Sequence, residues 1–482
     1  MAGPRLPHIC GFFLGLGLYR AWIEICFVGS FVGYPDPYPM RGIFDLACVV
    51  VLFTCAALAN RLSPLVQKRW APVCSGALMT AAAVLGFLAT AHPELASALS
   101  IASPLAGGLG VGLMILLWSE LYGSLNPVRI ALYYALSQLV GAAIIWTFKG
   151  FALPWLAFYT CLLPVASLVM LCASWHRLPQ ERRPRVGAAV RFSFPWKPAA
   201  LVSVYAFAFG LQEATTYTTS GPHSGLGMVA TALAVLVGIT LLGRWIDFGT
   251  IYSLWLPVLM MASLLVSLMG TMGAGGEGFF VGMSYAAAEL FIMTMVGSLV
   301  YRYGAGALWL FGIERGVRML AMMAGRSVEG LAHGWPVAVL VLVAALVATA
   351  LIMSEGRLTS SWGLEPSEGA DDESPEAAEQ RRLGRVCADL ARTRGLTQRE
   401  GEVLLLLAQR KTAGDIEREL CVAYGTAKAH IRHVYRKLDI HSREELFELT
   451  GMKASAGGAE SSNASDKEPE SLEESEKTRT AE

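Results

Sequence analysis

Residues 396–446 read LTQREGEVLLLLAQRKTAGDIERELCVAYGTAKAHIRHVYRKLDIHSREEL, and the stretch punctuates itself into four short helices. Thr397-Gln-Arg-Glu400 has the capping-box spacing, in which a Thr hydroxyl accepts the N–H three residues on while the Glu carboxylate reaches back. It opens an amphipathic helix with Val403, Leu404, Leu407 and Ala408 on one face. Thr412-Ala-Gly-Asp415 is a weaker version of the same box and opens a helix with Ile416 and Leu420. From Ala423 to Leu438, Ala427, Ile431, Val434, Tyr435 and Leu438 share one face, while Lys428, Arg432 and Arg436 recur every four residues on another. Ser442-Arg-Glu-Glu445 caps a last helix bearing Leu446, Phe447 and Leu449. A cationic stripe of period four suits a phosphate-rich groove, because Lys and Arg neutralise phosphates and reach the guanine O6/N7 edge. Alone, such a stripe is more often a solvated face. Two short helices, a tight turn and a basic third helix together are the layout of a helix-turn-helix. His430 and His433 stand three apart with no further ligand nearby, so no metal site is expected there.

The same residues resemble the LuxR-type DNA-binding domain, whose pattern is LTxREREVLxLLAxGxxxxxIAxxLxxSxxTVKxHxxxIxxKLxxxSRxEL. Leu396, Thr397, Arg399, Glu400, Glu402, Val403, Leu404, Leu406, Leu407, Ala408, Ile416, Leu420, Thr426, Lys428, His430, Lys437, Leu438, Ser442 and Arg443 match it. Gly401, Glu417, Ala423 and Ala427 depart from it. Ala423 replaces the Ser that would cap the recognition helix, a loss of about 1 kcal/mol. The resemblance implies control of transcription and binding to promoter DNA as a homodimer through the last helix, at a two-fold-related site. It places Lys428 and Arg432 against bases or phosphates in the major groove, and Thr426, His430 and Arg436 against the backbone. It implies no cofactor.

Outward from this module the composition divides the chain. Residues 381–453 carry 15 Lys/Arg against 10 Asp/Glu. Ahead of them, residues 354–380 are acidic and rich in Pro, Gly and Ser, and read as a linker. Residues 454–482 are Ser/Glu-rich with too few apolar residues to fold, and read as a disordered acidic tail. The formal net charge of zero over 482 residues hides +7 in residues 1–353 and −7 in the rest.

Residues 1–353 are a different material. The whole chain is 54% hydrophobic with a mean hydropathy of +0.48, and repeated apolar runs of membrane-crossing length exclude a soluble enzyme, a secreted disulfide scaffold and a disordered protein. Seven of the nine cysteines fall in those runs and none stands in a C-x-x-C pair. Twelve candidate spans follow: 9–32, 43–59, 73–91, 95–118, 128–148, 151–174, 199–219, 226–246, 251–271, 278–300, 305–326 and 334–353. The long basic loop WHRLPQERRPRVGAAVRFSFPWKP (175–198) divides them six and six. With the N-terminus inside, the inner loops collect thirteen Lys/Arg and the outer loops three, Arg41, Lys149 and Arg326, so both termini are expected in the cytoplasm. Apolar from Ile9 and without an A-x-A site, the start reads as a retained first span.

Twelve spans split six and six resemble the major facilitator superfamily, with paired halves and a midplane cavity. The 59–70 loop, ANRLSPLVQKRW, keeps only Arg61 and Lys68–Arg69 of the family's basic loop motif, and GRWIDFG (243–249) keeps Gly243, Arg244 and Asp247. Charges inside spans cost about 2.5–3.5 kcal/mol each at a helix centre, which makes them candidates for function. Here they are Arg20 and Glu24 in span 1, Glu213 in span 7, Glu289 in span 10, and Glu314, Arg315 and Arg318 in span 11. Arg20–Glu24 and Glu314–Arg318 have the i,i+4 spacing of local pairs. Arg315 needs a carboxylate from another span, a water-filled cavity or an anionic ligand, and Glu213 and Glu289 of its own half are the candidate carboxylates. Asp45 and Glu120 are expected near span ends, where they reach the membrane interface. Gly108/Gly112 and Gly312/Gly316 have the spacing of close helix packing within one bundle.

The sequence thus predicts an all-α protein: a polytopic transmembrane helix bundle of twelve spans, then a four-helix LuxR-type helix-turn-helix domain. It sits in the bacterial cytoplasmic membrane among lipid, and a small-molecule inducer or membrane signal sensed by the bundle controls DNA binding. The alternative is a transporter with a regulatory DNA-binding tail. With no nucleotide-binding motif and no nucleophile–base pair, enzymatic activity is not expected.

Overall fold

The computed structural model describes residues 10–29, 31–32, 37–178, 194, 196–220, 225–241, 273–303, 305–329, 375–420, 422 and 424–451. Every regular element among them is helical. The chain forms two units, Met1–Ala370 and Asp371–Glu482.

In the first unit the helices are α1 (Gly11–Val28), α2 (Pro37–Ala57), α3 (Trp70–Ala91), α4 (Ala96–Gly123), α5 (Pro127–Phe148), α6 (Leu153–Arg177), α7 (Trp196–Ser220), α8 (Leu226–Leu241), α9 (Gly273–Tyr303) and α10 (Ala307–Glu329). They match the predicted spans 1–8, 10 and 11; predicted spans 251–271 and 334–353, and the loop residues 243–249, lie outside the described residues. Seven of the described helices are long and apolar enough to cross a bilayer: α1–α6 and the Gly282–Tyr301 part of α9. α10 carries Glu314, Arg315, Arg318 and Arg326, too many charges for a span that faces lipid.

Burial separates the helices by role. In α9, 89% of the apolar segment is buried, against 33% of α6. α9 is therefore central, while α6 turns Trp155, Phe158, Val165 and Val169 outward, as a lipid-facing helix does. α2 is held between two glycine faces. A Cβ on Gly108 of α4 would meet the Phe44 carbonyl and Ala47, and one on Gly312 of α10 would meet Ala56 and the Leu52 carbonyl. The glycines let the backbones touch, which is how small-residue spacings bring membrane helices together.

α1 is irregular. It runs as a 3₁₀ segment (Gly11–Gly15), an α segment (Leu16–Ile23) and a π segment (Glu24–Val28). Short π segments within helices are frequent at functional sites, and this one begins four residues after Arg20.

The second unit contains α11 (Pro375–Thr393), α12 (Gln398–Ala408), α13 (Ala413–Leu420), α14 (Tyr424–Leu438) and α15 (Arg443–Thr450). Four were expected; α11 is a fifth. Its first residues fall in the stretch read as linker, and its Leu383 and Cys387 are buried with Val403, Leu404, Leu407, Ala427, Val434 and Leu446 in one core. Leu383, Cys387 and Leu390 stand at i, i+4 and i+7, one helical stripe. Arg382 then donates to the Gly451 carbonyl at 2.7 Å, tying the start of the module to its end. Gly451 is in the left-handed region, φ 69°, where glycine is free of Cβ strain and closes α15.

Candidate nucleic-acid interface and a buried arginine cluster

The caps of the second unit form where the spacing placed them. Glu400 Oε2 accepts from Thr397 N at 2.7 Å, and the Thr397 hydroxyl accepts from Glu400 N. Thr412 N donates to Asp415 Oδ2 at 3.0 Å, and Asp415 N donates back to the Thr412 hydroxyl at 3.2 Å. Ser442 accepts from Glu445 N at 3.2 Å. Glu400 does more than cap. Lys437 of α14 reaches its Oε2 at 2.7 Å and also donates to the Gly395 carbonyl at 3.1 Å, so one buried carboxylate joins α12 to α14. Burial pushes the Glu400 carboxyl up, but the hydrogen bonds from Lys437 and Thr397 outweigh it and hold the group at about 2. Arg443 donates to the Lys411 carbonyl and so pins the turn ahead of α13.

These contacts present α14 with one face inward and one outward. Ala427, Val434 and Leu438 are buried, with Ile431 and Tyr435 half-buried beside them. Thr426, Lys428, Arg432 and Arg436 are exposed and His430 is half-buried. Lys428 lies over the Tyr424 ring at 5.2 Å; Lys428, Arg432 and Arg436 make no ion pair among the described residues. Three cations with no carboxylate partner among the described residues leave their charge for an external anion. Ala423 and Cys421, flanking the start of α14, lie outside the described residues.

Residues 394–450 match the family described as bacterial regulatory proteins, luxR family. This module is a LuxR-type helix-turn-helix domain. Among curated proteins it is similar to the HTH-type transcriptional regulator MalT of Vibrio campbellii and of Vibrio parahaemolyticus, each 47% identical over 59 residues. Those matches cover 12% of this chain and 6% of each relative, so the chain shares only this domain with them. In the LuxR-type domain the matched Thr397, Glu400 and Lys437 are the three members of the buried capping network, while Thr426, Lys428 and His430 lie on the outward side of α14.

The first unit holds the second candidate site. Glu289 of α9 is 4% exposed and is shared by three guanidinium groups. Arg315 Nη1 and Arg318 Nη1 donate to its Oε1 at 3.0 and 3.1 Å, and Arg20 of α1 pairs with its Oε2. Tyr134 of α5 donates to Oε2 at 2.8 Å and also receives a hydrogen bond from Arg20. Arg318 Nε donates to Glu314 Oε1 at 3.1 Å, and Arg315 Nε stands 3.6 Å from Glu314 Oε2. Tyr285 accepts from Arg318 at 3.0 Å. Four helices, α1, α5, α9 and α10, therefore meet in one polar knot within an apolar bundle. Such a knot persists only because each charge is paired, since a lone buried charge is far more costly.

Of the residues singled out in the sequence, Arg20, Glu289, Glu314, Arg315 and Arg318 come together here. Glu289 is the carboxylate that meets Arg315; the Glu213 side chain lies outside the described residues. Arg20 reaches across to α5 and α9, and Glu24 is half-buried at the first turn of the π segment. Tyr134 and Tyr285 carried no sequence signal, being ordinary aromatics in apolar runs. Two expectations change. Asp45 is not at an interface: it is 2% exposed and ion-paired with Arg326 of α10, a residue read as a loop charge. Glu120 is fully buried and accepts from the Ser63 hydroxyl at 2.9 Å and from Leu65 N at 2.6 Å. It ties α4 to the 63–67 loop.

The architecture of this unit has solved counterparts. It is similar to a bacterial homologue of the iron transporter ferroportin in the outward-facing state, with a TM-score of 0.51 and 16% identity over 72% of this chain and 97% of that one. The same homologue soaked with iron gives a TM-score of 0.52 at 16% identity, over 72% and 98%. At that identity the likeness shows the fold alone.

Proposed function

We propose that this protein is a membrane-embedded one-component transcription regulator. In this reading twelve spans, six and six, hold both termini in the cytoplasm of a bacterial cell, and the acidic linker tethers the LuxR-type domain beneath the membrane. The domain binds promoter DNA as a homodimer through α15, and a small-molecule inducer or membrane signal acting on the bundle controls that binding. The observation that carries the reading is the unpaired Lys428–Arg432–Arg436 face of α14 in the same chain as a bundle of apolar helices. Lys428 and Arg432 take bases or phosphates, and Thr426, His430 and Arg436 the backbone. The buried arginine cluster is the sensory candidate, because it links helices of both halves through a single carboxylate and can be biased by any ligand that competes for it. Arg20, Glu289, Glu314, Arg315 and Arg318 are its residues, and the sensing role extends in this reading to Glu24 and Glu213, the other span charges that the sequence singles out.

Transcript profiling with and without the gene, followed by a small-molecule screen on a responding promoter, tests the reading. Arg315→Gln is expected to shift the inducer dose curve without weakening DNA binding by the excised second unit. An unchanged curve at equal membrane abundance removes the cluster from sensing. The likeness to transporter folds favours a second reading, a transporter whose tail regulates transcription; uptake by vesicles containing the protein would support it.

A further inference from the structure

Arg315 is poorly satisfied for a guanidinium that is 7% exposed. One of its nitrogens reaches Glu289 at 3.0 Å. Nη2 has only the Met293 thioether at 3.5 Å, a weak acceptor. Nε makes no hydrogen bond, with Glu314 Oε2 3.6 Å away. Buried donors left this way cost about 1–3 kcal/mol each, more for charged groups. Beside them is a cavity of about 30 Å³ lined by Arg315, Arg318 and the Tyr285 side chain on its polar side and by Leu52, Ile115 and Met319 among its apolar residues. Among the described residues neither Glu289 nor Glu314 lines it, and none of its described lining residues is a carboxylate.

We infer that this cavity is a binding site for a halide-sized monovalent anion, with chloride as the natural occupant. Size decides against larger ligands: a space of that volume takes about one or two water-sized bodies. Charge decides for an anion, since guanidinium groups supply donors and no acceptors. The apolar remainder of the wall decides against phosphate and sulfate, whose several oxygens would be left without donors. A single weakly hydrated halide needs only the N–H groups of Arg315 and the Tyr285 hydroxyl, whose bond to Glu289 Oε1 is long at 3.4 Å and can be exchanged for one to the anion. The cavity joins α2 and α4 of the first half to α9 and α10 of the second, so an anion there stabilises whichever arrangement of the halves brings Arg315, Arg318 and Leu52 together. The inference rests on the sensory reading of the same cluster and names its ligand class.

The test uses the full chain dispersed in detergent, in chloride-free gluconate at constant ionic strength, with heat survival read by size exclusion. Adding chloride or bromide is expected to raise the midpoint saturably, as a ligand of the folded state does, and sulfate to leave it unchanged. Arg315→Gln should abolish the halide effect. Tyr285→Phe keeps charge and packing and should raise the half-saturating chloride concentration about tenfold, the worth of one hydrogen bond to an ion. Equal midpoints in chloride and gluconate, or an unaltered halide response in Tyr285→Phe, would overturn the site. A reporter that still responds differently in Arg315→Gln would, in that event, leave the sensory reading standing without the anion.

Discussion

α10 and α14 both carry arginines at helical spacing, and the two helices use them oppositely. On α10, Arg315 and Arg318 are 7% and 8% exposed and every strong contact they make is to Glu289, Glu314 or Tyr285. On α14, Lys428, Arg432 and Arg436 are exposed and without ion pairs among the described residues. The difference comes from the medium. In an apolar bundle a guanidinium without a carboxylate is prohibitively costly, so its partner must be built into the fold. In water a cation costs little to leave free, and a free cation is what a polyanion recognises by releasing counterions. The same residue type is thus internal glue in one unit and an outward cationic face in the other.

Mutations can break that contrast. Glu289→Gln leaves two buried guanidinium groups and the half-buried one of Arg20 sharing a neutral amide, and should destabilise the bundle by about 3–5 kcal/mol; size-exclusion yield in detergent would show it as loss of the monodisperse peak. The exposed face should behave differently. Lys428→Ala with Arg432→Ala in residues 371–482 should weaken DNA binding by about 2–4 kcal/mol and lower the salt slope by about 2, read by fluorescence anisotropy. Its thermal unfolding should move by no more than about 0.5 kcal/mol, as at exposed sites without buried contacts. If the double variant unfolds instead, the α14 cations are structural after all and the contrast fails.

Two smaller effects sharpen the account of what holds each unit. Gly312→Val pushes side-chain atoms against Ala56 and the Leu52 carbonyl, an overpacking expected to cost about 1–3 kcal/mol and measurable as a lower melting midpoint of the full chain. Glu400→Gln should cost the LuxR-type domain about 1–2 kcal/mol, the value of a cap and a charged hydrogen bond. Because the Glu400 carboxyl is held near 2 in the folded state and near 4.3 when unfolded, its contribution is complete above about pH 4.3. It fades as pH falls toward 2. Circular dichroism melts across that window should therefore converge for Glu400→Gln and the natural sequence.

How much of this could be read from the residues alone depended on distance along the chain. The caps at Thr397, Thr412 and Ser442 were legible because a capping box is closed within four residues. So was the inward face of α14, whose Ala427, Val434 and Leu438 follow from period 3.6. That Arg315 needs a carboxylate, water or an anionic ligand was also legible, from the cost of burying it. The identity of the partner was only narrowed to two, because Glu289 lies 26 residues away on another helix, and Tyr134, 155 residues from Glu289, left no trace at all. Arg326 was misread for the same reason: a charge at a span's end looks like a loop residue until Asp45, 281 residues distant, is brought beside it. α11 escaped because Pro375 and the acidic residues around it dominate the local composition, and the Leu383–Cys387–Leu390 stripe counts only once α12 and α15 are there to cover it.

The claim that the α14 face engages DNA while the chain is in its membrane is tested most directly by cross-linking cells that carry the full-length protein and sequencing the DNA recovered with it. A discrete set of promoter sites is expected for the natural sequence, and loss of those sites for Lys428→Ala/Arg432→Ala at equal membrane abundance. Recovery of the same sites by the double variant, or of none by either protein, would contradict it.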